Sequence, residues 1–158
     1  MSVAFKFVRV EIEDGGDDNN RRKILYKFTK DKDEERIIEV DRTRLSQVIS
    51  NLLDNAIKFT KEGGTISIEV EKKKDSNNNN TNNNNKEVVI VSIKDTGSGI
   101  DSNILPRLFE RFVSKSFRGT GLGLFISKSI IEAHGGKIWA ENNSDGKGAT
   151  FAFSLLLN

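Results

Sequence analysis

The sequence predicts an α+β fold, a two-layer sandwich in which a mixed, mostly antiparallel sheet is covered on one face by helices. Three observations support this prediction. Apolar residues recur at helical spacing in residues 41–60 and 118–133, and they alternate with polar residues in several shorter segments. The order is a β-rich start, a helix, two strands, a short helix, a long helix and two strands, which is typical of helices segregated to one face. At 158 residues the chain is long enough for one domain with a buried core.

Composition excludes several function classes. The 25 basic residues nearly balance the 23 acidic ones, so the net charge does not indicate a nucleic-acid-binding protein. Without cysteine the chain forms no disulfide or thiolate metal site, and its single histidine excludes a histidine-cluster metal site. No apolar run approaches the roughly 20 residues of a membrane span, and no signal peptide opens the chain. We expect a cytoplasmic domain without direct membrane contact. Whether a longer parent protein carries a membrane anchor is left open by the sequence.

The first 40 residues are predicted to form a small antiparallel β region within the same domain. Residues 3–13 alternate apolar and polar side chains, and residues 24–29 and 36–40 have strand composition. Two turns separate these strands, at 14–20 and at the charged sequence KDKDEE.

Residues 41–60 predict an amphipathic helix with Asp41 as its N-cap. Its apolar arc contains Leu45, Val48, Ile49, Leu52, Leu53, Ala56 and Ile57. Asn51, Asn55 and Lys58 form a narrow polar stripe beside that arc. Asn is a poor helix former, so the stripe indicates a site for anionic oxygens and a hard cation. The alternative is an ordinary helix with two incidental asparagines.

Two strands are predicted next, at 65–71 and 88–94, the second apolar enough to be central in the sheet. Between them, eight of the nine residues from Asn77 to Asn85 are asparagine. Such a tract cannot bury apolar surface, so residues 74–86 are expected to form a disordered hairpin loop.

The strand at 88–94 runs directly into DTGSGI, residues 95–100. A carboxylate at a strand end, Asp95, can accept a hydrogen bond from an exocyclic amine, and Gly97 and Gly99 would let a flat base approach the backbone. The alternative is a tight turn stabilised by the Asp95 side chain.

The segment from Ser102 to Phe112 predicts a short helix. Its residues Leu105, Leu108, Phe109 and Phe112 share one face that we assign to the core. After a polar connection, GTGLG at 119–123 opens a long helix that ends at Ala133. Helix N-termini with glycine loops bind phosphate through backbone N–H groups, and the alternative here is a flexible hinge. Two final strands are predicted at 137–141 and 149–157.

Five ordered motifs resemble the N, G1, F and G2 boxes and the terminal strands of sensor histidine kinases. They are Asn51 to Asn55 followed by AIKFT, DTGSGI, LFERF, GTGLGL, and the ending HGGKIWAE with GKGATF. The resemblance is to the catalytic ATP-binding domain, of the fold shared with gyrase B, Hsp90 and MutL, and it assigns residues 41–158 to that domain.

The resemblance implies ATP and Mg²⁺ as ligands. Asn55, supported by Asn51, would ligate Mg²⁺ at the ATP phosphates, Lys58 would contact phosphate, and Asp95 would bind the adenine amino group. The further ATP-binding residues that it implies are Phe59, Gly97, Gly99, Ile100, Phe112, Gly119, Thr120, Gly121, Leu122, Gly123, Leu124 and Thr150.

One departure from the family pattern concerns the lid, residues 113–118. Many members carry an arginine directly after the F box, where this chain has Ser114. We expect Lys115 or Arg118 to take the catalytic role of stabilising charge on the transferred phosphoryl group. The alternative is that Lys115 and Arg118 are charged loop residues that point into solvent and have no catalytic role. Phe117 has two open roles, capping the pocket or contacting a partner.

The second departure is the lack of a phosphoacceptor. His134, at a predicted helix C-terminus, is assigned a structural role. The resemblance therefore implies transfer of the γ-phosphoryl group to a histidine of a separate dimerisation domain. A response regulator would be an indirect partner. We expect the isolated domain to be a monomer.

Related ATPases carry a glutamate as general base where this chain has Asn51, and an amide cannot take a proton near neutral pH. An ATPase and a nucleotide-binding module without transfer activity are the alternatives.

Overall fold

A five-stranded sheet forms one layer of the computed structural model, which describes residues 2–3, 23–28, 38–74, 87–113 and 120–157. The described residues form seven strands: β1 (Ser2–Val3), β2 (Lys23–Phe28), β3 (Ile38–Glu39), β4 (Thr65–Lys74), β5 (Glu87–Asp95), β6 (Lys137–Asn142) and β7 (Ala149–Leu156). Five of them form this sheet, and β1 and β3 form a separate two-stranded sheet. The sheet order is β2-β4-β5-β7-β6. Antiparallel pairs join β4, β5, β7 and β6, and β2 lies parallel to β4. The predicted mixed, mostly antiparallel sheet is confirmed.

The face of β5 that packs beneath the helices is set by the two-residue period of a strand. Val89, Val91, Ile93 and Asp95 are all buried, with Ile93 fully inaccessible. The same period therefore places the Asp95 side chain on the helix-covered face at the end of the strand.

Helix α1 (Arg42–Phe59) begins where predicted, because the Asp41 side chain accepts a hydrogen bond from the Arg44 N–H at 3.0 Å. Most of its predicted apolar arc is buried, and the rest packs against the core while partly exposed. The second helix, α2 (Gly123–Ala133), packs beside α1 and against β6 and β7. Both helices thus cover the same face of the sheet.

His134 joins the end of α2 to the start of α1. Its Nε2 accepts a hydrogen bond from the Asp41 N–H at 3.1 Å, and its Nδ1 lies 2.7 Å from the Ile130 carbonyl. Because the amide only donates and the carbonyl only accepts, the ring proton lies on Nδ1. These bonds agree with the structural role assigned to this histidine.

The N-terminal strands pair differently from the prediction. Strand β2 joins the main sheet in parallel with β4, and the only antiparallel N-terminal pair among the described residues is β1 with β3. A parallel neighbour needs a crossover connection, which α1 supplies between β2 and β4. The inclusion of residues 1–40 in the same domain stays a prediction. Much of the strand predicted at 3–13 lies outside the described residues. So do residues 75–86 of the loop predicted at 74–86, whereas Lys74 is the last residue of β4.

The predicted helix at 102–112 is wrong. Only Leu105–Arg107 forms a single 3-10 turn. Pro106, at the fifth position of the predicted helix, lacks the N–H that would bond the Ser102 carbonyl in an α-helix. Phe112, assigned to the core, is 74% exposed and has a φ of 64°.

Helix α2 also begins at Gly123, later than predicted, after Gly121 with a φ of 66°. Among the described residues, no helix combines the length and apolarity needed to cross a membrane.

The turn between β6 and β7 gives a paired stability prediction. Gly146 and Gly148 have φ values of 73° and 76°, but a Cβ at Gly146 would meet nothing within 4 Å. At Gly148 a Cβ would lie 2.6 Å from the Asp95 carbonyl carbon and closer still to its oxygen. We expect Gly146→Ala to lower the free energy of unfolding by about 1 kcal/mol, from backbone strain alone. Gly148→Ala should cost about 3 kcal/mol or more, since strain and overlap add.

Urea unfolding of both variants measures this difference. Equal losses would show that the contact between Gly148 and Asp95 is not tight.

Candidate functional site

A cavity of about 400 Å³ lies between α1, the end of β5, the residues after β5 and the start of α2. This volume falls in the range of small-molecule sites. Most residues that the sequence assigned to ATP line it together. They are Asn51, Asn55, Lys58, Phe59, Asp95, Gly99, Ile100, Thr120, Gly121, Gly123 and Leu124.

Asp95 provides a buried carboxylate at the wall of the cavity, with 2% of its surface exposed. Its Oδ1 accepts hydrogen bonds from the Gly97 N–H at 2.8 Å and the Ala149 N–H at 3.3 Å. Burial raises the pKa of this carboxyl above its ordinary value, and the two hydrogen bonds oppose that rise. Such a group favours a ligand that donates a hydrogen bond to it.

The two glycines after Asp95 have different roles. A Cβ at Gly97 would collide with the carbonyl of Phe59, so this glycine lets the end of α1 approach the turn. Gly97 itself does not line the cavity. Gly99 does line it and has a φ of 70°, a value that favours glycine. The neighbouring Ile100 is held by a reciprocal pair of hydrogen bonds with the Asn142 amide, at 2.7 and 2.8 Å.

Asn51 connects the two helices at the cavity. Its Nδ2 donates to the Gly123 carbonyl and to the Ser127 hydroxyl, each at 3.2 Å, and the Ser127 hydroxyl donates to the same carbonyl at 2.9 Å. The carbonyl can only accept, so the amide must present its nitrogen there. Its oxygen remains on the other side for a ligand.

Asn55 and Lys58 supply the polar groups of α1 that have no such bonds. Within the described part of the chain, neither side chain has a hydrogen-bond or ion-pair partner. The Lys58 Nζ lies 5.4 Å from the centre of the Phe59 ring, within cation–π range. An amide oxygen and an ammonium are therefore available at one wall of the cavity.

The start of α2 supplies backbone donors to the same cavity, beside Asn51. Gly123 is its first residue, and no side chain caps this helix end among the residues that the structure describes. The unbonded N–H groups of a first helical turn, with the helix dipole, attract anions. Gly121 lies beside them with its carbonyl accepting the Phe112 N–H at 3.0 Å.

Some predicted site residues fall elsewhere. Gly97, Phe112, Leu122 and Thr150 do not line the cavity. Thr150 alternates with Ala149 and Phe151, which do, so the strand period places it on the other face. Five residues named in the sequence analysis of the site and the lid lie outside the described part of the chain: Ser114, Lys115, Phe117, Arg118 and Gly119.

The structure adds residues that the sequence analysis did not assign to the site. These cavity-lining residues are Asp54, Ser98, Asp101, Ile104, Leu108, Val113, Ala149 and Phe151. The period of β7 could have indicated Ala149 and Phe151. The loop contributions of Ile104 and Val113 have no periodic signal. Buried Asn143 and Ser127 were also missed, since neither belongs to a recognisable motif.

Comparisons with known proteins agree with this geometry. The family model described as histidine kinase-, DNA gyrase B-, and HSP90-like ATPase matches residues 40–158. The sensor protein KdpD of Clostridium acetobutylicum is 48% identical over 125 residues, which are 75% of this chain and 12% of that protein. The chain therefore spans about an eighth of that relative's length.

Solved structures show the same similarity. The nucleotide-free catalytic domain of histidine kinase ThkA aligns with a TM-score of 0.65 at 34% identity, over 85% of this chain and 80% of that one. Full-length ShkA in complex with AMPPNP aligns with a TM-score of 0.67 at 27% identity, over 87% of this chain and 26% of that one.

The chain belongs to the family of histidine kinase-, DNA gyrase B- and HSP90-like ATPases. Within it, the chain is a catalytic ATP-binding domain of the sensor histidine kinase type, as the family model and the histidine kinase catalytic domains that it matches show.

The buried carboxylate predicts a specific pH dependence of stability. Because folding raises the pKa of Asp95 above 3.8, the folded state holds that proton more tightly than the unfolded state. The contribution of Asp95 to stability is therefore greatest below about pH 3.8 and falls as pH rises through the folded-state pKa. The stability of the parent relative to Asp95→Asn should fall across that interval and level off above it.

Urea unfolding between about pH 3 and 8 tests this, with Asp145→Asn in an exposed turn as the control. A stability difference between parent and Asp95→Asn that does not change with pH would contradict it.

Proposed function

We propose that this domain binds Mg·ATP and donates the γ-phosphoryl group to a histidine of a separate helical domain. One observation carries the proposal: a buried carboxylate, a polar helix stripe and an uncapped helix N-terminus line a single cavity. Asp95 would accept a hydrogen bond from the adenine amino group. The start of α2 and Lys58 would bind the phosphates.

The residues present also fit Mg²⁺. This cation prefers oxygen ligands and usually combines one or two protein groups with substrate phosphates. Asn55 offers an amide oxygen that has no other use within the described residues, and Asn51 offers the oxygen left by its bonds to α2. When bound, Mg²⁺ would neutralise phosphate charge. The chain's own residues would hold the nucleotide and orient its last phosphate toward the cavity mouth.

Asn51 supports a kinase more than a hydrolase. Its amide nitrogen is committed to the Gly123 carbonyl and the Ser127 hydroxyl, and an amide cannot act as a general base for water. A glutamate there would set a carboxylate against that carbonyl oxygen. An imidazole acceptor is already nucleophilic at neutral pH, so it needs no base from this domain. Lys115 or Arg118 is proposed to stabilise charge on the transferred group.

The partners follow from this chemistry. The acceptor histidine would come from a dimerisation and phosphoacceptor domain, and a response regulator would receive the phosphoryl group from it. We propose that the isolated domain is a monomer.

Nucleotide binding tests the site directly. We expect the domain to bind Mg·ATP with a dissociation constant of about a micromolar to a millimolar, measured by isothermal titration. Asp95→Asn should weaken ATP by about tenfold, since a charge-assisted hydrogen bond is lost. Asn55→Ala should remove the Mg²⁺ dependence of binding. Gln47→Ala, on the exposed side of α1, is the matched control and should bind like the parent.

If both site variants titrate like the parent, the nucleotide does not bind in this cavity.

Transfer requires the partner domain. The domain, mixed with or fused to the phosphoacceptor domain of its parent protein and γ-labelled ATP, should place label on a histidine. The N–P bond of such a product is acid-labile and base-stable, which distinguishes it from a phosphoserine. Asn55→Ala should abolish the labelling.

Steady ATP hydrolysis by the domain alone, at rates of a true ATPase, would instead favour a hydrolase. Binding without transfer would leave a nucleotide-binding module.

A further inference from the structure

Asn143 is a buried amide next to the Asp95 wall of the cavity, with 8% of its surface exposed. Its Nδ2 donates to the Asp95 carbonyl at 2.8 Å and to the Lys147 carbonyl at 2.6 Å. Its Oδ1 accepts the Thr150 hydroxyl at 2.7 Å. The amide therefore uses both N–H groups and its oxygen within the protein.

The backbone of Asn143 closes the same turn. Its N–H donates to the Gly148 carbonyl at 3.1 Å, and its carbonyl accepts the Gly146 N–H at 2.9 Å. Gly148 packs tightly on the Asp95 carbonyl, and the next residue, Ala149, donates its N–H to the Asp95 carboxylate at 3.3 Å. The network thus holds both the backbone of Asp95 and the donor that orients its side chain.

We propose that Asn143 and Thr150 are positioning residues that set the base specificity of the nucleotide site through Asp95. Neither residue lines the cavity, so neither would touch the nucleotide. The inference rests on the proposed function, because it assumes that Asp95 receives the base.

The physical reason is a match of donor and acceptor. In one orientation of the base, adenine presents an amino group where guanine presents a carbonyl oxygen. A carboxylate fixed at that position therefore attracts the first base and repels the second in that orientation. If Asp95 can shift, ATP loses its hydrogen bond, whereas GTP has no such bond to lose. Loosening the network should lower the affinity for ATP and leave that for GTP unchanged or higher.

Two substitutions break the network at different bonds. Asn143→Asp keeps the shape and the oxygen that accepts from Thr150, but sets an oxygen against the carbonyls of Asp95 and Lys147. Thr150→Val is isosteric and removes only the hydroxyl donor. Thr150→Ser restores that donor and is the conservative rescue. Ser144→Ala is the matched control, since Ser144 is exposed and has no hydrogen bond within the described residues.

The experiment is isothermal titration of each variant with Mg·ATP and Mg·GTP, alongside thermal unfolding. We expect Asn143→Asp and Thr150→Val to lower the ratio of ATP affinity to GTP affinity by about tenfold, the scale of one badly paired buried polar group. Thr150→Ser and Ser144→Ala should keep the parent ratio. A purely structural role would weaken both nucleotides equally, so an unchanged ratio in the folded variants overturns the inference.

If Asn143→Asp does not fold, Thr150→Val decides alone by the same ratio. A parent that binds neither nucleotide overturns the proposed function. A parent that prefers ATP, with variants that keep its preference, overturns only this inference.

Discussion

The hydrogen bonds from the Asn51 amide to the Gly123 carbonyl and the Ser127 hydroxyl fix the two helices against each other on the sheet. The Ser127 side of these bonds is closed to solvent, because the exposed fraction of Ser127 is 0%. Leaving these groups unpaired would cost about 1–3 kcal/mol each. The cavity lies between α1 and the start of α2, so these bonds help to keep the polar stripe and the first turn of α2 at one cavity.

A second constraint is the burial of Asp95. Moving a carboxylate out of water is costly, and among the described residues two backbone N–H donors, rather than a counter-charge, offset that cost. A cationic partner would compete with a ligand for the carboxylate, whereas two amides orient it and leave it able to accept. The close approach of Phe59 and the β6–β7 turn around it requires Gly97 and Gly148, because a Cβ at either would overlap a carbonyl group.

The first of these constraints supports the proposed preference for transfer over hydrolysis. The amide at position 51 serves as a structural donor, and that use requires a side chain that cannot act as a base. Water then has no group on α1 at this position to activate it. A phosphoryl acceptor must bring its own nucleophile, and the proposed histidine of a separate domain does so. The domain's contribution is to bind, orient and neutralise.

The sequence by itself determined the parts of this protein that have a local or periodic cause. The helix from Arg42 to Phe59 follows from its apolar spacing and its Asp41 cap. Four strands of the sheet follow from alternation or from short apolar runs bounded by turn residues. Asp95, the stripe and the glycine loop were identified because each lies in a motif. The family and fold expected from these motifs are confirmed.

Only the tertiary structure decided what depends on contacts between distant residues. The spacing of apolar residues did not reveal that β2 pairs with β4, because the choice of a neighbouring strand is a contact between distant residues. It also did not reveal the exposure of Phe112 or the 3-10 turn at Pro106, because one proline interrupts the α-helical hydrogen bonds that the spacing predicts. The role of Asn143 was also hidden, since it rests on Asp95, 48 residues earlier. A hydrogen bond between residues so far apart leaves no period in the chain, and folding alone brings them together.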